Sequence, residues 1–146
     1  MARRKIFKEP DPVLLKRCRE VTAFDARLWE LLDDMRETMR AAEGVGLAAP
    51  QVGILRRLAI VETDGVFLEF VNPEILSTAG EVLDSEGCLS VDAGKNCQVL
   101  RPEKLTLKAF DRYGVPFEKA FEGFIVRVIC HEMDHLDGVL FYTRRA

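Results

Sequence analysis

The chain has only two histidines in 146 residues, and they stand four apart with a glutamate directly after the first, in ICHEMDHLDG at 129–138. On a helix, positions i and i+4 share a face, so His131 and His135 can aim two ring nitrogens at one atom. Glu132 then stands beside that atom without needing to bind it. This grouping suits a hydrolytic metal site: two imidazole ligands, an open position for water, and a carboxylate to carry its proton. Chance produces it in a chain of this composition on the order of once in a thousand. That weighs against the plainer reading of two packed core histidines.

Hydrolytic metal sites usually take three protein ligands. With no histidine left, the third must be a cysteine or a carboxylate. Among Cys18, Cys88, Cys97 and Cys130, Cys88 in DSEGCLSVD is the best cysteine. It follows a strand-like EVLD and sits among turn-forming residues, where backbone groups can face a ligand. Cys130 adjoins His131 and points about 100° away around the helix, which reads as packing or as support behind the ligands. Cys18 and Cys97 lie in charged or polar segments and read as incidental thiols. Downstream of His135 only Asp137 offers a carboxylate, and it is too close along the helix. This argues against a gluzincin-like endopeptidase, which shares H-E-x-x-H but takes its third ligand further on.

The elements that must carry these residues can be read from periodicity. Leu28, Leu31, Leu32, Met35 and Met39 recur at helical spacing, with Asp25 as N-cap and Gly44 as stop, which predicts a helix over 25–42 with both methionines in the core. GVGLAAPQVG has no clear period and reads as a loop, its glycines allowing close approaches that other residues resist. LAIVET, a turn at Asp64 and Gly65, and VFLEFV predict a hairpin. KLTLKAF alternates as a half-buried strand, and DRYG turns it into VPFEKA. Phe124, Ile125, Val128, Ile129 and Met133 mark a second helix, expected over 121–136 and ended by Gly138. VLFYTRRA reads as a short final strand or tail. The layout is α+β: a helix, several antiparallel strands, then a helix packed on them.

Bulk composition narrows the class. A length of 146 predicts one domain spanning 1–146, and 48% hydrophobic with 31% charged residues is too apolar for disorder. The opening MARRKIFKEPDPVLLK lacks a secretory apolar run, and no stretch approaches the roughly 18 residues of a membrane span. Four cysteines are too few for a disulfide framework in a chain this long, so they are expected as thiols in a reducing, cytoplasmic setting. A net charge of −3 gives no general attraction to nucleic acid, and RRK near the start and RR near the end read as solvated termini.

Three segments, GVGLAAPQ at 44–51, EGCLS at 86–90 and HEMDHLDG at 131–138, resemble the three signature motifs of peptide deformylases, in order and similarly spaced. The resemblance extends to DPVLLKRCREV and the helix before the first motif, and so covers nearly the whole chain. It implies an α+β enzyme that removes the formyl group from the N-terminal formyl-methionine of new polypeptides, by metal-hydroxide attack. Cys88, His131 and His135 match the family's metal ligands, Glu132 its general acid/base, and Gln51 with the Leu89 N–H its oxyanion hole. The implied cofactor is one divalent ion, iron(II) first, with zinc, nickel or cobalt able to replace it. Gly44, Val45 and Gly46 would pair backbone with an extended formyl-peptide, and Gly46 would lie close to the metal. Phe124, Arg127, Val128 and His131 would line the pocket for the methionine side chain. Nascent formylated chains are the implied partners, with transient ribosome proximity, no direct nucleic-acid or membrane contact, and a monomer expected.

The chain departs from the pattern in three places. Cys130 replaces the glutamine that usually precedes the first histidine, which would loosen the ligands or leave a redox-sensitive thiol beside the metal. Such changes frame the alternative of a weakened paralogue that binds metal or formyl-peptide without turnover. After EGCLS stand Val91 and Asp92, then an unusual AGKNCQ. The sequence also ends soon after Tyr142, so a ribosome contact is expected to need a surface other than the C-terminal helix some relatives use.

Overall fold

The computed structural model describes residues 2–146 and has three layers. A five-stranded antiparallel sheet lies between two helices, α1 at Ala26–Ala41 and α2 at Phe124–Leu136. Its strands run in the order β1 (Gly46–Ala48), β2 (Leu58–Thr63), β3 (Val66–Ala79), β6 (Lys104–Phe110) and β7 (Pro116–Glu122). A separate ribbon pairs β4 (Val82–Glu86) with β5 (Cys97–Arg101).

Strand β2 shows why the sequence gives this arrangement. Successive strand side chains point to opposite faces. Ala59 and Val61 pack with α2 residues Val126 and Ile129, while Leu58 and Ile60 pack with Leu32, Met35 and Met39 of α1. A strand covered on both sides must be apolar at every inward position, as LAIV is. Truncating one such fully buried side chain, Ile129 to alanine, is expected to cost about 2 to 5 kcal/mol.

The expected helix at 25–42 is present, with the Asp25 carboxylate accepting from Leu28 N–H at 3.3 Å and all five spaced apolar residues buried. Both central residues of the β2–β3 turn, Asp64 and Gly65, have positive φ, as a tight hairpin requires. Strand β3 continues well past VFLEFV, to Ala79.

Three elements differ from expectation. The second helix starts at Phe124, not at 121: Phe121 pairs with Leu105 and Glu122 with Lys104 to complete β7, and Gly123 at φ 91° turns the chain from strand to helix. Apolar residues at 121, 124 and 125 satisfy either period, so spacing alone misplaces the start. The segment at 44–53 is not all loop, since it holds β1 and a 3-10 turn at Ala49–Val52. The tail forms a 3-10 turn at Phe141–Arg144 that packs against Val99 of β5, and Arg145 makes one isolated bridge to the same residue. Cys97, read as an incidental thiol, packs on β5 against the small cluster of Leu14, Val91, Val99, Leu140 and Phe141.

All four cysteines are free thiols. Among the described residues, no helix is long and apolar enough to cross a membrane.

Candidate metal centre

Helix α2 buries His131, Glu132 and His135 under the ribbon and β1. The two imidazoles stand edge to face with centroids 5.1 Å apart. The turn after β4 brings Cys88 to them, its Sγ 3.3 Å from His135 Nε2. One ligand atom each from Cys88, His131 and His135 lies within 4.8 Å of the others. One thiolate and two imidazoles form a donor set that suits iron(II), zinc, cobalt or nickel.

Surrounding groups fix these donors. His131 Nδ1 lies 3.0 Å from Glu86 Oε1, so the proton sits on Nδ1 and the Nε2 lone pair is left for a cation. Phe141 stacks on the other side of that ring at 5.6 Å. Ser90 N–H at 3.4 Å and Gln51 Nε2 at 3.6 Å both point at the Cys88 sulfur. Gln51 is itself oriented, because its Oε1 accepts from Ala48 N–H at 3.0 Å and its Nε2 donates to Ser90 Oγ at 3.1 Å. Leu89 is partly buried beside Met39 and the Gly44 backbone.

The electrostatics favour a positive ion. Burial works to raise the Glu86 carboxyl, but hydrogen bonds from Arg101 and His131, with their charges, hold it at about 2. Burial pushes His135 down to about 3, keeping it neutral as a ligand must be. Burial opposes a charge on His131, yet Glu132, Cys88 and Glu86 together favour positive charge at this spot, the charge a divalent ion would bring. Burial lifts the Glu132 carboxyl to about 7, against the pull of His131. Glu132 Oε1 is buried with no partner, and so is His135 Nδ1.

Gly46 shows how tightly the site is drawn. A Cβ there would lie 2.5 Å from Glu132 Oε2 and 2.8 Å from Val128 Cγ1, so a side chain at 46 would displace the carboxylate.

Beside the ligands opens a cavity of about 210 Å³, lined by Val45, Phe124, Arg127, Val128, His131 and Glu132 along with the end of β4. Five of the seven residues expected to contact substrate, Val45, Phe124, Arg127, Val128 and His131, therefore line one cavity. Gly46 packs behind it on Glu132 and Val128, and Gly44 packs against Leu89 and Met39 instead. Arg127 differs from expectation in its bonding: its guanidinium is tied to Glu86 and to the carbonyls of Val82 and Val99. Cys130 is buried among the apolar residues of α2 and the sheet and is not part of the Cys88, His131 and His135 group, and burial raises its thiol to about 11.

Sequence reasoning missed Glu86, Ser90 and Arg101. Glu86 and Ser90 flank Cys88 within EGCLS, so only Arg101 lay outside the quoted motifs.

A pre-oriented cradle of one cysteine and two buried imidazoles with a buried carboxylate beside it is the architecture of a metal-dependent hydrolase. The family profile described as "Polypeptide deformylase" matches residues 3–146, and the chain belongs to that family. It is 52% identical over 144 residues to a peptide deformylase of Clostridium botulinum, covering 99% of this chain and 97% of that protein. Identity to the peptide deformylase of Caldicellulosiruptor bescii is 49%, over 99% and 86% of the two chains. The fold superposes on the crystal structure of peptide deformylase from Thermotoga maritima with a TM-score of 0.96 at 37% identity, covering 100% and 99%. For the Legionella pneumophila enzyme the TM-score is 0.94 at 44% identity, covering 99% and 87%.

Proposed function

We propose that this chain is a metal-dependent deformylase that hydrolyses the N-terminal formyl group of formyl-methionyl polypeptides and releases formate, with 1–146 acting as one catalytic domain. The observation that carries the reading is the convergence of Cys88, His131 and His135 within 4.8 Å, beside an unpartnered buried glutamate, in a chain of this family. Cys88, His131 and His135 would hold the ion, iron(II) in the first instance with zinc, nickel or cobalt as substitutes. When bound, the ion would supply Lewis acidity, acidifying water and polarising the formyl carbonyl.

The protein's own groups do the rest. Glu132, with Oε1 free, accepts the proton of the attacking water and delivers it to the departing amine. The Gln51 amide, held in place by Ala48 and Ser90, and the Leu89 N–H stabilise the negative charge that grows on the carbonyl oxygen. Losing one such donor typically costs about 3 to 4 kcal/mol of barrier. Strand β1 is an edge of the sheet, so the backbone at Gly44, Val45 and Gly46 can take an extended peptide as an added strand. The cavity at Val45, Phe124, Arg127 and Val128 then receives the methionine side chain. A nascent-chain substrate argues for a cytoplasmic enzyme working near the ribosome, and we read it as a monomer.

The direct test is anaerobic purification, loading with iron(II) or nickel, and assay of formate release from formyl-Met-Ala-Ser. A folded, metal-loaded sample that releases none overturns the reading. Glu132→Gln is expected to keep its metal and lose turnover by about 10²- to 10⁴-fold. Near-full activity in that variant would remove Glu132 from the mechanism.

A further inference from the structure

Arg101, the last residue of β5, has a side chain only 5% exposed and bonds two carboxylates at once. Its Nε and one terminal nitrogen reach the two oxygens of Glu86 at 2.7 and 2.9 Å. Its other terminal nitrogen reaches Asp134 Oδ2 at 2.8 Å. Asp134 lies on α2 between the two histidines and is held again by Arg144 of the C-terminal turn, at 2.7 and 3.0 Å. Four side chains therefore close a ring: His131 of α2, Glu86 of β4, Arg101 of β5 and Asp134 of α2.

We propose that Arg101 is the positioning residue of the metal centre: by gripping both oxygens of Glu86 and bracing on Asp134, it fixes the carboxylate that orients His131 toward Cys88 and His135. A two-pronged guanidinium grip sets the plane of a carboxylate, which a single contact leaves free to rotate. With Glu86 turned out of plane, Oε1 no longer meets His131 Nδ1, and the imidazole loses the hydrogen bond that aims Nε2. Because the brace ends on the helix that carries both histidines, the grip is referenced to the ligands themselves.

Arg127 touches the same carboxylate but does a different job. It reaches only Oε2, at 2.7 Å, and directs its remaining hydrogen bonds to the carbonyls of Val82, Val99 and Asp84 at 2.8, 2.9 and 3.4 Å. It neutralises charge and fastens the β4–β5 ribbon. Lysine cannot replace Arg101, since one ammonium cannot span both Glu86 oxygens and Asp134.

The inference rests on the reading that Cys88, His131 and His135 bind a cation, and cobalt(II) tests the two separately. The measurements are the Co(II) dissociation constant, by chelator competition, and the ligand-field absorption spectrum of the bound ion. Parent protein that binds no Co(II) defeats the metal-site reading and this inference with it. Given binding by the parent, Arg101→Lys is expected to unfold cooperatively in urea, to weaken Co(II) affinity 10- to 100-fold, and to alter the spectrum. Glu69→Gln, which opens the Arg112 clamp on β3 away from the site, is expected to leave both readings at parent values. An Arg101→Lys protein with parent-like affinity and spectrum, or one matched in its losses by Glu69→Gln, overturns the proposal. Should Arg101→Lys fail to fold, Asp134→Asn removes the brace, and the Arg144 pairing with it, while leaving the grip on Glu86, and is expected to weaken Co(II) binding 3- to 10-fold. Unchanged affinity in that variant overturns the proposal equally.

Discussion

Glu86 and Glu62 are each gripped by two arginines, and both carboxyls are held at about 2, yet they reach that value by opposite routes. Glu62, on β2, keeps 27% of its side chain in water and meets Arg40 and Arg36 of α1 at 2.7 and 2.8 Å. Hydrogen bonds from Arg40 and Arg36 lower it, with little burial to overcome. The Glu86 side chain is 4% exposed, and there the largest influence is burial, which disfavours the charge that Arg101 and His131 must restore. An exposed pair exchanges water for protein at almost no net gain. A buried carboxylate that loses its charge strands its cations in a medium that cannot solvate them. A shared pKa therefore conceals a large difference in how much structure depends on each glutamate, and substitution at each exposes it.

Glu86→Gln should have the largest effect. It keeps the side-chain shape but leaves Arg127 without its counter-charge and Arg101 with Asp134 alone, and is expected to destabilise the metal-free protein by about 3 to 5 kcal/mol. Urea unfolding measures this, with an unchanged slope showing that the denatured state is the same. A loss below about 1 kcal/mol would put Glu86 in the class of an exposed pair.

The contrast also separates what the sequence shows from what it hides. Helix α1, the β2–β3 hairpin, the paired histidines and Cys88 are legible because each is a local pattern: a period, a turn dipeptide, a spacing, a motif. Arg101 and Asp134 are not, because an arginine or aspartate in a sequence reads as solvated, and burying either makes sense only once partners from distant segments are known. One local signal was available. In CQVLR the buried positions are Val99 and Arg101, so strand alternation from Val99 already aims Arg101 inward. The start of α2 was misread for a related reason: Phe121 fits a helical stripe, but its pairing with Leu105 is set by the β6–β7 register, a contact between strands rather than a period within one.

Arg112 lies between the two extremes. Its side chain is 22% exposed and bonds Glu69 at 2.6 Å and Asp33 at 2.8 Å, and the hydrogen bonds it donates to these carboxylates raise its pKa further above the usual arginine range. Glu69→Gln is expected to cost about 1 to 2 kcal/mol in urea unfolding. A cost equal to that of Glu86→Gln would mean that burial is not what distinguishes the clamps.

Glu62→Gln should have the smallest effect, and its dependence on pH and salt sharpens the contrast. An unconstrained glutamate titrates near 4.5 and Glu62 at about 2, so any stability the pair contributes is complete above pH 4.5 and fades as the pH falls toward 2. Because these charges stand at the surface, salt at about 1 M, where the screening length is about 3 Å, should weaken their attraction. The parent and Glu62→Gln are therefore expected to differ in thermal midpoint by no more than about 3 °C at pH 7. They should differ less in high salt, and the difference should disappear as the pH falls through 2. A larger gap that persists in salt would show that the Arg36 and Arg40 clamp excludes water as the Glu86 clamp does, and that side-chain exposure is the wrong measure of which charges this fold depends on.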